Sequence, residues 1–146
     1  MYSILKGIKV LDLSRLLPGA LCSMILGDMG AEVLKIEDTS QGDYMRWMGP
    51  MVKQLSAYFL LTNRNKKSMK LNLKAPQGKE IFLRLVKKYD VVLESFRPGV
   101  MERLGLGYEV LKKENPAIIY CAISGYGQDG PYKNFVGHDI NYIALG

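Results

Sequence analysis

Apolar and polar positions along this chain switch between two periods, one near two residues and one near 3.6. Ile8-Lys9-Val10-Leu11-Asp12-Leu13 is short, aliphatic and partly alternating, which predicts a strand. Leu21, Met24, Ile25 and Met29 then recur at helical spacing and stop at Gly30. Glu32-Val33-Leu34-Lys35-Ile36 predicts a second strand. Strand, helix and strand within so few residues describe a βαβ unit, hence a parallel pair with a right-handed crossover. Gln41 to Pro50 predicts a loop, Leu55 to Leu61 an apolar helix, and the alternation Ser68 to Leu73 a strand. Ala75-Pro76 opens a helix that runs to Lys87-Lys88, with proline suited to its first turn and cations to its end. Asp90 to Glu94 predicts a strand, and Val100–Leu104 and Tyr108–Glu114 two short helices. Ala117 to Ile123 is the clearest candidate for a fully buried strand. A glycine-rich loop, Ser124 to Tyr132, leads towards a last helix over Ile140–Leu145. The alternation predicts the α/β class, an open, mainly parallel sheet of roughly five strands flanked by helices.

Length and composition narrow this picture. The 146 residues fit one domain, 1–146. No apolar run approaches the roughly 18 residues of a membrane span, and the start lacks the apolar core of a signal peptide. No membrane association and a cytoplasmic location are the expectation. Cys22 and Cys121 lie in apolar stretches and read as buried thiols. One histidine excludes a metal centre built from several. The final apolar positions, Ile140, Ile143, Ala144 and Leu145, have little chain left to pack on before Gly146, the pattern of a chain cut short or one that has lost a disordered tail.

Charge is uneven. The net +6 comes from one segment, Tyr44 to Lys79, which has eight cations and no carboxylate. That distribution suits either an anionic partner or a solvated basic face. The aromatics are not interleaved with the cations and no nucleic-acid motif is present, so nucleic acid is not the expected partner.

The chemistry-bearing motifs are few. Leu17-Pro18-Gly19-Ala20 stands where a G-x-G-x-x-G dinucleotide fingerprint would follow the first strand, and neither a P-loop nor a G-x-S-x-G elbow occurs. Asn63-Arg64-Asn65-Lys66-Lys67-Ser68 sets three cations just before a strand, where they could meet phosphate. Ser95-Phe96-Arg97-Pro98-Gly99 follows a strand at the end where open α/β sheets bind ligands. There Phe96 could stack on a purine and Arg97 meet a phosphate, or the segment could be a tight turn with Phe96 in the core. Gly137-His138-Asp139 is the one place where an imidazole adjoins a carboxylate, suited to proton transfer or to a purely structural role.

Leu5 to Ser14, Leu26 to Glu37, Gly42-Asp43 with Arg46, Asn63 to Ser68, Phe96 to Gly99, Arg103 to Tyr108 and Ser124 to Pro131 occur in one order over essentially the whole chain. Together they resemble the N-terminal part of the class III CoA-transferase family, which includes α-methylacyl-CoA racemases. The resemblance implies a Rossmann-like fold, truncated relative to longer family members that carry a second domain, so that residues 1–146 are the CoA-binding α/β portion. It implies an acyl-CoA partner, coenzyme A as a substrate moiety with no prosthetic group, and an interlocked homodimer. Arg46, Asn63, Lys66, Lys67, Phe96, Arg97 and Arg103 are the implied CoA-binding residues, and His138 and Asp139 the implied catalytic ones. Gly137-His138-Asp139-Ile140-Asn141-Tyr142 resembles the racemase version, in which His138 is the base that takes the proton beside the thioester. In the transferase version Asp139 is the nucleophile. Further racemase chemistry needs a second carboxylate beyond this pair. Ala20 stands where many members have proline, and Ser95 where many have asparagine.

Overall fold

The structure is a computed structural model that describes residues 3–145. The first two residues of the N-terminal reading, Met1 and Tyr2, and the terminal Gly146 lie outside the described residues.

In chain order the elements are β1 (Lys9–Asp12), α1 (Leu16–Asp28), β2 (Glu32–Glu37), a 3-10 turn (Tyr44–Trp47), the hairpin β3 (Met51–Val52) and β4 (Leu55–Ser56), α2 (Ala57–Thr62) and β5 (Lys66–Lys70). They continue with α3 (Pro76–Val86), β6 (Val91–Glu94), α4 (Val100–Arg103), α5 (Tyr108–Glu114), β7 (Ile119–Ala122) and α6 (Asp139–Leu145). Five strands form one sheet in the order β5-β2-β1-β6-β7, and every neighbouring pair is parallel. Leu11 at the centre pairs with Leu34 on one side and Val92 on the other. The chain winds outwards from β1 through β2 to β5, then crosses back to β6 and β7. The strand order therefore reverses between β1 and β6, and a sheet of this kind binds ligands outside the carboxyl ends of those strands.

The two faces of the sheet differ. One carries the main core, in which Leu11, Leu13, Ile36 and Val92 pack on Phe82 and Val86 of α3, Met101 of α4 and Leu111 of α5. The other carries a smaller apolar cluster, Val10, Ala31, Val33 and Leu93. Along the same strands it then turns polar, with Asp12, Lys35 and Glu37 all buried. Helix α1 covers that face with small residues, Gly19, Ala20, Ser23 and Gly27. A methyl group on Gly19 would collide with the Ser14 side chain, so the close approach of α1 to the turn after β1 requires glycine there.

Several local expectations are corrected. Helix α1 starts at Leu16, taking in Pro18 and Gly19, and its large apolar residues Leu17, Leu21 and Ile25 face outwards. The stretch from Leu55 is divided, with Ser56 ending the hairpin and capping α2 by accepting the Tyr58 and Phe59 N–H groups. Strand β5 begins two residues before the predicted Ser68, because Lys66 pairs in register with Val33 and its side chain is buried. β7 is an edge strand with Ile119 61% exposed, so the buried reading of that segment fails. Only alternate residues of an edge strand reach the core, here Ile118 and Tyr120. Cys121 is exposed for the same reason, and Cys22 is half-buried, so neither is the fully buried thiol expected.

Candidate functional site

At the carboxyl edge of the sheet a cavity of about 270 Å³ opens beside the β1/β6 reversal. Its floor is apolar, formed by Leu13, Ile36, Leu71 and Phe96, with Val100 of α4 and the following Leu104 as a wall. Arg15, Asp38 and Lys74 supply charge at its rim.

Arg15 is fixed from several sides. Its backbone N–H donates to Ser95 Oγ at 2.9 Å, tying the turn after β1 to the turn after β6. Its guanidinium pairs with Asp38 at 2.9 Å and donates to Tyr44 Oη at 3.1 Å. The same group lies 5.3 Å from the Tyr44 ring centre and 5.7 Å from that of Phe96, within cation–π range. The next residue, Leu16, has φ +61°, a conformation costly for a branched side chain. Its N–H donates to Asp43 Oδ1 at 3.1 Å, which holds the strained turn in place.

Phe96 is positioned from beneath. Its N–H donates to Glu94 Oε2 at 2.6 Å, and Tyr120 donates its hydroxyl to Glu94 Oε1 at 3.2 Å. Burial pushes the Glu94 carboxyl above its usual range, and burial with the neighbouring Glu94 raises the Tyr120 phenol. Arg97 is exposed beyond the ring. Gly99 takes φ +79° as the N-cap of α4, and the exposed Arg103 guanidinium reaches back over it.

Arg46, Asn63, Lys66 and Lys67 are not in the lining of this cavity, and each contacts other side chains of the protein. Arg46 donates to both oxygens of Glu37, at 2.8 and 2.6 Å, and its guanidinium carbon lies 4.0 Å from the Phe59 ring centre. Lys66 is buried and donates to Ala20 O at 2.8 Å and Asn63 Oδ1 at 3.0 Å, with Asp12 at 3.4 Å. Its burial lowers the ammonium to about 8, against the attraction of Asp12. Asp12 also accepts from Ser14 and Ser23. Lys67 points to the opposite face and pairs with Glu32 at 3.3 Å. With Arg64 bound to Asp28, four of the eight cations in the basic segment are matched by carboxylates from outside it. The positive segment is therefore much less of a ligand-facing patch than its sequence suggests.

His138 and Asp139 are exposed at the start of α6. The His138 N–H donates to Asn141 Oδ1 at 2.9 Å. Among the described residues, none after Leu104 lines the cavity, so the pair and the cavity are separate features at the carboxyl end of the sheet. Sequence reasoning passed over Arg15, Asp38, Lys74 and Glu94. Arg15 carried a signal, as a cation placed directly after the first strand. Glu94, a carboxylate closing an apolar strand run, carried another.

The family model described as CoA-transferase family III matches residues 5–146. Human succinyl-CoA:glutarate CoA-transferase is 47% identical over 142 residues, which are 97% of this chain and 32% of that protein. Human alpha-methylacyl-CoA racemase is 43% identical over 141 residues, 97% of this chain and 33% of that protein. The chain spans about a third of the length of these curated relatives. Among solved structures, a CAIB/BAIF family protein from Brucella suis superposes with TM-score 0.93 at 39% identity, covering 100% of this chain and 40% of that one. A hypothetical protein, Rv3272, from Mycobacterium tuberculosis gives TM-score 0.90 at 41% identity, covering 98% of this chain and 40% of that one.

Proposed function

The chain belongs to CoA-transferase family III, and we propose that it forms the CoA-binding part of an acyl-CoA racemase that epimerises 2-methylacyl-CoA. The observation that carries the CoA half of this reading is the cavity at the strand reversal. It has an apolar floor with the Phe96 ring, and Arg15 and Lys74 at its rim. Coenzyme A has matching parts, a flat purine that suits an aromatic wall and phosphates that suit exposed guanidinium groups. Arg97 and Arg103 flank Phe96 and α4, and in this reading they meet those phosphates.

The chemical half rests on His138. A thioester carbonyl acidifies the carbon next to it, and an imidazole changes protonation near neutral pH. His138 is the base that takes the α-proton in this reading, and return of a proton to the opposite face completes epimerisation. The same reading takes coenzyme A as a substrate moiety without a prosthetic group, and places the protein in the cytoplasm as a homodimer. No described helix is long and apolar enough to cross a membrane.

A second reading, CoA transfer between carboxylic acids, is favoured by the likeness to succinyl-CoA:glutarate CoA-transferase. There a carboxylate attacks the thioester and expels CoA thiolate, giving an acyl anhydride, and the thiolate then attacks the enzyme's carbonyl of that anhydride, releasing the acyl group as a carboxylate and leaving an enzyme-bound CoA thioester. Asp139 is the candidate nucleophile of this chain. The test is α-proton exchange of a 2-methylacyl-CoA in heavy water, followed by NMR, with His138→Ala as control. Exchange that disappears in the control supports the racemase. Unchanged exchange in the control removes His138 from the reaction. Absent exchange together with CoA transfer that is lost in Asp139→Ala supports the second reading, and transfer that survives assigns the nucleophile to another carboxylate.

A further inference from the structure

One side chain, that of Tyr142, lies close to both ends of the loop that leads to His138 and Asp139. Four glycines lie between β7 and α6, and they divide into two kinds. Gly127 and Gly130 have φ of +85° and +80°, so the backbone itself requires glycine there. Gly125 and Gly137 have ordinary backbone angles, yet a β-carbon on either would collide with the hydroxyl end of Tyr142. At both positions a larger residue would have to displace the end of that ring. Gly125 lies three residues beyond the end of β7, and Gly137 directly precedes His138. The Tyr142 ring therefore fastens the exit from the sheet to the entry of α6.

The ring is supported on its other side. Its centre lies 5.6 Å from that of Tyr126, which itself contacts Tyr132 and Phe135 at 6.2 and 6.4 Å. Helix α6 has only seven residues, too few to be stable alone. Of its large side chains Tyr142 is the least exposed, at 39%, against 75% for Ile140, 71% for Ile143 and 75% for Leu145. The Tyr142 N–H donates to His138 O at 3.3 Å, so the ring and the His138 backbone share the first turn.

We propose that Tyr142 is the positioning residue for the His138–Asp139 pair, fixing the start of α6 through its seat between Gly125 and Gly137. The proposal rests on the reading of His138 or Asp139 as the reacting group, but its test does not depend on activity. The chain has one histidine, so the imidazole carbon-bound protons of His138 give an unambiguous NMR signal. Tyr142→Ala removes the ring, Tyr142→Phe keeps it, and Gly137→Ala obstructs its seat. Core methyl signals of Leu11 and Val92 report on folding in each variant.

Tyr142→Ala and Gly137→Ala are expected to move the His138 ring signals and the backbone amide signals of His138 and Asp139. Tyr142→Phe is expected to leave them in place. Gly137→Ala added to Tyr142→Ala should change nothing further, because the group it obstructs is gone. In turnover, kcat should fall about 10- to 100-fold in Tyr142→Ala with KM unchanged, the effect of a misplaced reacting group. If Tyr142→Ala leaves the His138 and Asp139 signals unmoved, or if Gly137→Ala acts equally in both backgrounds, the proposal is wrong. Loss of the core methyl signals in Tyr142→Ala transfers the comparison to Tyr142→Leu, for which the same two outcomes decide. A protein without α-proton exchange or CoA transfer would overturn the functional reading alone, and the NMR result would still stand.

Discussion

The Lys35 ammonium stands 2.8 Å from the Asp43 carboxylate, and both side chains are 1% exposed. Lys35 also donates to Ser14 O at 2.8 Å, while the second oxygen of Asp43 accepts from Leu16 and Met45 N–H. One buried ion pair thus joins β2, the end of β1 and the strained turn from which Arg15 reaches the cavity. Removing one partner leaves the other charge buried and unmatched. Lys35→Met is expected to destabilise the fold by about 3 kcal/mol, measured by urea denaturation. A cost below about 1 kcal/mol would mean that Asp43 is adequately held by its two backbone N–H groups.

Glu37 gives stability a pH dependence. Burial alone would raise its carboxyl, but hydrogen bonds from Arg46, Ser68 and the Asp43 N–H outweigh burial and bring it down from 4.5 to about 2. A carboxyl lowered by folding stabilises the native state above its unfolded value and loses that effect as pH falls. Glu37 should therefore cause stability to fall between pH 4.5 and 2. Arg46→Ala should cost about 2–4 kcal/mol at pH 7 and make that slope shallower. Urea midpoints for both proteins across the acid range provide the check.

Glu94 acts in the opposite sense. Its carboxyl is raised by burial, so the native state holds its proton over a range where the unfolded chain has released it. Its contribution to stability therefore decreases as pH rises above the ordinary glutamate value. Glu94→Gln keeps an oxygen for the Phe96 N–H and carries no charge. It is expected to be at least as stable as the parent at pH 7 and less stable relative to it at pH 4. Thermal melts at the two pH values measure the crossing, and a variant that is less stable at both would mean that Tyr120 needs the ionised partner.

The outline of the sheet was legible because parallel interior strands are apolar on both faces. Val10-Leu11 and Val91-Val92-Leu93 could hardly be anything else. The same logic misread Ala117 to Ile123, since position at the edge of a sheet depends on strand order and leaves no mark on composition. Lys66, Lys35 and Asp12 were illegible for another reason. A charged residue in sequence reads as solvated, and only the fold shows that these charges meet one another. The cations of the basic segment were visible as a cluster, but several of their carboxylate partners lie far away in the chain, Asp12 for Lys66 and Glu32 for Lys67. The place of Phe96 and Arg97 after a strand was legible, and Phe96 lines the cavity while Arg97 is exposed outside its lining. His138 and Asp139 could be picked out by residue type, while the ring that seats them could not.

We propose that the exposed cations near Phe96 meet coenzyme A and that those of the basic segment do not. Arg97 and Arg103 are exposed beside the cavity wall, whereas Lys67 lies on β5 with its ammonium on Glu32. Coenzyme A titrated by calorimetry at low and high salt should separate them. Phe96→Ala is expected to weaken binding about 10-fold at either salt, the effect of losing an aromatic contact worth about 1–1.5 kcal/mol. Arg97→Ala and Arg103→Ala should weaken it about 3- to 10-fold at low salt and less at high salt, because exposed charges are screened. Lys67→Ala should leave Kd within about twofold, since an exposed pair with Glu32 contributes little. Equal losses in Lys67→Ala and Arg97→Ala would move the phosphates to the β5 edge, and with them the CoA site away from the strand reversal.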